Sequence, residues 1–224
     1  MIVHEGMRRM YTEESGAQHD EYYYITLQNE NYAHPAMPAG VEKGIMRGLY
    51  LLHPCDKPGD KHVQLLGSGS ILREVIAAAD LLKTDWGVTA DVWSAPSFTE
   101  LARDGQEVER WNLLHPGEKP RKSYVAECLG GLAGPAIAAT DYMKAYAEQI
   151  RAFVPMPYHV LGTDGFGRSD TREKLRDFFE VDRRWVTLKA LSALVDQGAL
   201  PKKKLNEAIQ KYGINIDKPN PAKE

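Results

Sequence analysis

The densest concentration of groups able to do chemistry is Gly162-Thr163-Asp164-Gly165-Phe166-Gly167-Arg168-Ser169-Asp170-Thr171-Arg172-Glu173. Its glycines permit positive φ. Asp170, with Glu173 three residues later, has the spacing of a capping box, so the end of the run predicts a helix start with Asp170 or Ser169 as N-cap and Arg168 pointing away from the core. Asp164 and Arg168 are then left as charged groups on a loop. Such loops at the carboxyl ends of parallel strands are where α/β proteins place ligand and subunit contacts. A second run, Gly67-Ser68-Gly69-Ser70-Ile71-Leu72, separates a strand pattern from a helix pattern, a position where backbone N–H groups and the helix dipole hold anions. Leu72 stands where the dinucleotide fingerprint requires a third glycine. A tight turn with serine capping is therefore expected there, and an independent nucleotide-binding module is the weakest alternative.

The histidines, His4, His19, His34, His53, His62, His115 and His159, are scattered, with no His-x-x-x-His or Glu-x-x-His pair. No metal centre is expected, and most of these rings are assigned to the surface or to loops. His34, in a proline-rich loop, and His115, in Leu114-His115-Pro116, are the candidates for acid–base work. Gly67-Ser68-Gly69 lacks the frame of a hydrolase nucleophile turn. Lys202-Lys203-Lys204 reads as a solvated helix face. Taken alone, these residues assemble no complete active site.

The elements that would position them alternate. Residues 2–13 carry apolar side chains at helical spacing, with no N-cap residue before them, as in a helix continuing from upstream. A polar gap at residues 15–20 leads to a strand pattern at residues 21–27, then a loop at 29–40. Strands are predicted at residues 48–53, 61–66, 88–94, 136–140 and 158–162. Helices are predicted at 71–83, 98–110, 124–132, 141–153, 171–179, 183–197 and 202–212, the last ended by Gly213. Short apolar strands separated by helices predict an α/β fold: three layers around a mostly parallel, five-stranded sheet beginning near Val41. Residues 1–40 are too few for a core of their own. They are expected to be the end of a preceding domain plus a linker, with Tyr22, Tyr23 and Tyr24 partly exposed or held in a chain–chain contact.

The chain has 224 residues, 43% of them hydrophobic, and a net charge of -3, enough apolar content for a sizeable core and no global basic field for nucleic acid. Cys55 and Cys128 have no metal-ligand spacing and read as free thiols in a reducing compartment. No apolar stretch approaches the roughly 20 residues needed to span a bilayer, and no leader pattern opens the chain. A soluble cytoplasmic protein is expected.

One family joins these pieces. Asn29-Glu30-Asn31-Tyr32 with Pro35-Ala36-Met37-Pro38, Leu65-Leu66-Gly67-Ser68-Gly69-Ser70-Ile71-Leu72-Arg73, Ser97-Phe98-Thr99-Glu100-Leu101-Ala102-Arg103-Asp104-Gly105, Glu109-Arg110-Trp111-Asn112, Thr140-Asp141-Tyr142-Met143-Lys144 and residues 161–170 occur in one order over nearly the whole chain. Together they resemble the homodimeric bacterial pyruvate dehydrogenase first component, a thiamine diphosphate-dependent decarboxylase. Gly130-Gly131-Leu132-Ala133-Gly134, Gln18-His19-Asp20 and residues 54–60 look like loop variation within it.

The resemblance implies a transketolase-like polypeptide of three α/β domains, with this chain as its carboxy-terminal portion. Residues 1–40 would end the middle, pyrimidine-binding domain and residues 41–224 would form the carboxy-terminal domain. Thiamine diphosphate and magnesium would lie between the first two domains, whose Gly-Asp-Gly signature is absent here, so no cofactor is expected on this chain and no catalytic, cofactor or metal residue is carried over. Asn31, His34, Asp164 and Arg168 are the candidates for an interface or an active-site entrance. Implied partners are the remaining domains, the second subunit and the dihydrolipoyl acetyltransferase core, with no nucleic acid or membrane. The alternatives are a purely structural assembly domain, or a parent acting on a related 2-oxo acid.

Overall fold

The computed structural model describes residues 1–11 and 22–224. Helix α1 (Ile2–Tyr11) is followed, beyond the loop at 29–40, by α2 (Glu42–Arg47), which the sequence patterns did not mark because its six residues span less than two turns. Strand β1 (Tyr50–His53) leads to β2 (His62–Gly67), α3 (Leu72–Trp86), β3 (Thr89–Ser94), α4 (Phe98–Leu114) and α5 (Tyr124–Leu129). There follow β4 (Ala136–Ala139), α6 (Lys144–Glu148), β5 (Tyr158–Leu161), α7 (Arg172–Phe178), α8 (Arg183–Asp196) and α9 (Lys203–Lys211). Gly213 adopts φ 61 just beyond α9, the left-handed stop expected there.

The sheet order is β1-β3-β2-β4-β5. The pairs β3–β2, β2–β4 and β4–β5 are parallel, and β1 joins the edge antiparallel with an irregularity between Leu51 and His53. Side chains alternate across this sheet and so divide the core into two layers. Val63, Leu65, Val92 and Ile137 face α3 and α8, whose Val75, Ala78, Leu82, Ala190 and Leu194 are buried against them. Leu66, Trp93, Ala138 and Val160 face the opposite way onto Leu101 of α4 and Val125 of α5. This is the expected three-layer α/β architecture with a five-stranded, mostly parallel sheet.

Caps fix the helix starts. Ser97 Oγ accepts the Glu100 amide at 3.2 Å to open α4, and Asp182 accepts the amides of Arg184 and Trp185 to open α8.

Several local expectations differ from the structure. Residues 22–27 form no strand and pair with neither edge of the sheet; Tyr22 and Tyr24 are exposed and Tyr23 is half-buried. Residue 21 and the polar gap at 15–20 lie outside the described residues. The helix predicted at 141–153 is two pieces, α6 and a 3-10 turn at Arg151–Phe153, since residues 141–143 are held as a turn: Tyr142 N–H donates to Thr140 Oγ1, and the Tyr142 carbonyl accepts Thr163 N–H. Helix α5 stops at Leu129, with glycines 130 and 131 following. The N-cap of α7 is Thr171, whose Oγ1 accepts the Lys174 amide at 3.5 Å. The Asp170 carboxylate instead accepts the Thr171 amide, so Asp170 sits one residue too early to cap.

Candidate functional site: the carboxyl edge of the sheet

The chain reverses direction across the sheet between β2 and β4: β3 was added on one side of β2, and β4 and β5 follow on the other. In open α/β sheets the crevice outside the carboxyl ends of two such strands is the default ligand position. Here it is formed by the turn after β2 and the turn after β4. Gly69 holds φ 56, and a Cβ there would meet Asp141 Oδ1 at 3.0 Å. Asp141 Oδ2 accepts from Ser70 Oγ at 3.3 Å and from Gln28 Nε2 at 2.8 Å. The serine capping expected in this turn does not form, because Ser68 makes no cap bond and the Ser70 hydroxyl is turned toward Asp141. A carboxylate therefore stands at the turn where an anion would have to lie. This edge does not fit a diphosphate, and no group of three or more His, Cys, Asp or Glu among the described residues could hold a metal ion.

The neighbouring loop, after β5, places Asp164 and Arg168. Asp164 Oδ1 accepts the Lys144 amide at 2.9 Å, satisfying the first N–H of α6. Gly165 holds φ 107, and the Pro221 carbonyl passes 2.2 Å from where a Cβ would be, so conformation and space both call for glycine. The tail that brings Pro221 there is anchored by Lys218, whose Nζ donates to the Asp177 and Phe178 carbonyls at 3.0 and 2.6 Å and to Glu180 Oε1 at 3.1 Å. Arg168 points away from the core, as expected. Its guanidinium lies 4.3 Å over the Phe178 ring and 3.4 Å from Glu224 Oε2.

Residues 28–32 lie along the same edge. Arg172 donates to Asn29 Oδ1 at 2.8 Å and to Glu30 Oε1 at 3.2 Å, and Arg176 donates to the Tyr32 hydroxyl at 3.1 Å. The Arg73 guanidinium lies 4.5 Å over the Tyr32 ring. The Tyr32 hydroxyl also donates to Glu30, and this bond, with Arg172, holds the Glu30 carboxyl below the usual carboxylate range. Of the candidates read from sequence, Asp164 and Arg168 share the β5–α7 loop, while Asn31 stands exposed between the two residues bonded to α7. His34 is exposed beyond them. His115 stacks on Trp111 at 4.2 Å, and its Nδ1 lies 2.8 Å from the Trp111 carbonyl, which makes it part of the end of α4.

Sequence reasoning missed two buried polar clusters. His62 is 3% exposed, with Nε2 2.9 Å from Asp91 Oδ2 and Nδ1 2.8 Å from Thr89 Oγ1. Gln64 donates to the same Asp91 oxygen and accepts from Trp93 Nε1. Burial pushes the Asp91 carboxyl up, but the Cys55 amide, His62 and Gln64 outweigh it and bring it below the ordinary range. The available signal was polar residues two apart on each of two strands, His62/Gln64 and Asp91/Trp93, hence on one face. The second cluster is Glu74, 5% exposed and bonded to Arg176 at 3.2 Å and to Arg183 at 2.9 Å. Its signal was a charge on the apolar stripe of α3, between Ile71 and Ala78.

Among the described residues no helix is long and apolar enough to cross a membrane. The chain is 62% identical over 222 residues to the "Pyruvate dehydrogenase E1 component" of Cupriavidus necator, covering 99% of this chain and 24% of that protein. It is 63% identical to the protein of that name from Pseudomonas aeruginosa and 54% identical to that from Escherichia coli, each across 99% of this chain and 25% and 24% of theirs. It thus spans about a quarter of the length of the curated relatives it matches. Residues 48–182, from the approach to β1 to the N-cap of α8, match the model of the transketolase-like TK C-terminal domain. With its five-stranded sheet inside that span, the chain belongs to the family of transketolase-like C-terminal domains.

Proposed function

We propose that this chain is the carboxy-terminal quarter of a homodimeric, thiamine diphosphate- and magnesium-dependent pyruvate dehydrogenase first component, and that its own task is domain packing and dimer assembly. The observation that carries the reading is 62% identity sustained over 99% of the chain to a relative of that name. Residues 1–40 are the end of the middle domain and its connection, and residues 41–224 are the carboxy-terminal domain. Consistent with this division, the first buried hydrophobic side chain among the described residues is Leu49, whereas Val3, Met7, Tyr22, Tyr24 and Leu27 are exposed. Those side chains are suited to packing against the remaining domains or the second subunit.

In the whole cytoplasmic enzyme pyruvate loses carbon dioxide and the two-carbon unit passes to a lipoyl group on the dihydrolipoyl acetyltransferase core. Thiamine diphosphate supplies that chemistry when bound. Its site is assigned to the other domains, because the edge described above presents a carboxylate where the diphosphate would need donors. Asp164 and Arg168, on the β5–α7 loop, and Asn31 and His34, on the connection, are assigned to domain or subunit contacts.

The test is a graft in which this chain replaces the corresponding quarter of the Cupriavidus necator relative. The expected product is a dimer by sedimentation, with pyruvate turnover within a few-fold of the unaltered enzyme. A folded graft without pyruvate turnover would overturn the reading. Calorimetry of the separate chain with thiamine diphosphate and magnesium is expected to show no binding heat, and a binding isotherm would relocate the cofactor.

A further inference from the structure

At the β2/β4 reversal and beside it the chain bonds to its own carboxyl edge, and these contacts come from within five consecutive residues, 28–32. Gln28 reaches Asp141 inside the crevice. Asn29 and Glu30 share one guanidinium, that of Arg172, and Tyr32 lies against Arg73 and Arg176. Arg176 is itself oriented from below, since its side chain is 15% exposed and donates to the buried Glu74. On either side the contacts with this edge stop: Tyr22 and Tyr24 are 89% and 86% exposed, Tyr23 between them packs on Gly6 of α1 instead, and residues 33–37 are exposed.

The surface reads its occupant through chemistry. An amide donor meets a carboxylate, a carboxylate and an amide oxygen meet one planar guanidinium, and an aromatic ring meets a cation. We propose that the Asp141 crevice and the ridge of Arg73, Arg172 and Arg176 form a peptide-recognition surface whose occupant is this polypeptide's own segment 28–32, a latch that fixes the direction in which the connection leaves the domain. The fold's default ligand crevice is thereby given over to holding a linker. Arg176 is the positioning residue, since it joins the latch to the α3–α8 packing through Glu74. That the latch orients a preceding domain rests on the function proposed above, whereas its docking does not.

Chymotrypsin cleavage of the 224-residue chain, followed by mass spectrometry, tests the docking with an internal control, because Tyr24 lies outside the latch and Tyr32 inside it. Cleavage after Tyr32 is expected to be roughly tenfold slower than after Tyr24, as for a locally closed segment. The double variant Arg73→Ala/Arg172→Ala should bring the two rates close to parity with no change in melting temperature. So should about 1 M NaCl, which shortens the screening length to about 3 Å. Equal cleavage at the two tyrosines in the unaltered chain, or a ratio unmoved by the double variant, would overturn the latch. In the grafted whole enzyme the double variant should lower pyruvate turnover several-fold. If the unsubstituted graft turns over pyruvate and the double variant matches it, the orienting role is wrong. A dead unsubstituted graft overturns the function reading alone and leaves the cleavage result standing.

Discussion

Residues 22–32 and residues 49–200 are held by different forces. The first region touches the sheet domain through polar and charged side chains at its surface, with Gln28, Asn29, Glu30 and Tyr32 supplying the contacts, while Tyr23 packs on Gly6 of α1. The second is built on two apolar layers on either side of one sheet. Exposed ion pairs are worth about 0–1 kcal/mol each, whereas apolar burial contributes about 25 cal/mol per Å² over many side chains. The kind of stabilisation thus changes along the chain, from polar docking of a surface segment to apolar burial. It also explains why the first region can be specific in its contacts while adding little to the stability of the whole.

The comparison is broken most severely from within the core. Leu65→Ala or Ile137→Ala, both fully buried, should lower unfolding free energy by about 2–5 kcal/mol in urea titration. Leu27→Ala, an exposed side chain of the first region, should change it by less than about 0.5 kcal/mol. If both cost the same, the two regions would be one cooperative unit with one kind of packing.

Next comes Glu74→Gln, which leaves Arg176 without its ionic partner and should cost about 2–3 kcal/mol near neutral pH. Burial pushes the Glu74 carboxyl up, but the Arg183 side chain and amide and the Arg176 charge prevail and hold it below its ordinary value. A carboxyl depressed on folding stabilises above its unfolded pKa, about 4.3, and that contribution disappears as pH falls through the folded value. The loss of stability from neutral pH into acid should therefore be shallower in Glu74→Gln than in the unaltered chain. Parallel acid curves would refute the assignment of Glu74 as an ionised clamp.

Smaller still, Thr171→Ala should cost about 1 kcal/mol and Asp170→Ala clearly less, separating the observed cap from the one its sequence spacing suggests. The smallest effect sharpens the contrast. Tyr32→Phe removes one hydroxyl from a half-buried ring and should leave the urea midpoint within error, while chymotrypsin cleavage after residue 32 rises.

Most of the sheet was legible because its strands are short apolar runs between helices whose apolar stripes repeat at helical spacing; β2, β3, β4 and β5 fall within a residue or two of their predicted bounds. Residues 22–27 misled because aromatic and β-branched content marks a segment fit for a sheet without saying whether it pairs, and these residues pair with neither edge strand. Asp170 and Thr171 show the same limit on a finer scale, since both can cap and only backbone geometry decides between them. At the candidate site the outward direction of Arg168 was readable. The α7 arginines that bond Asn29, Glu30 and Tyr32 lie more than a hundred residues away in the chain, and no local pattern carries that information. His62 and Glu74 were missed because each became buried only through a partner on another element.

The sheet order sets a clock for synthesis. Strand β2 is complete at Gly67, but its parallel neighbour β4 begins at Ala136, and β5 closes the far side only at Leu161. At about 5–20 residues per second, a ribosome takes roughly 3–14 s to deliver β4 after β2 has emerged. For that interval Val63, Leu65 and Leu66 belong to an incomplete sheet whose open edge can pair with another nascent chain. Slowing translation between residues 67 and 136 should therefore increase aggregation during synthesis, while the same slowing after residue 161 should not.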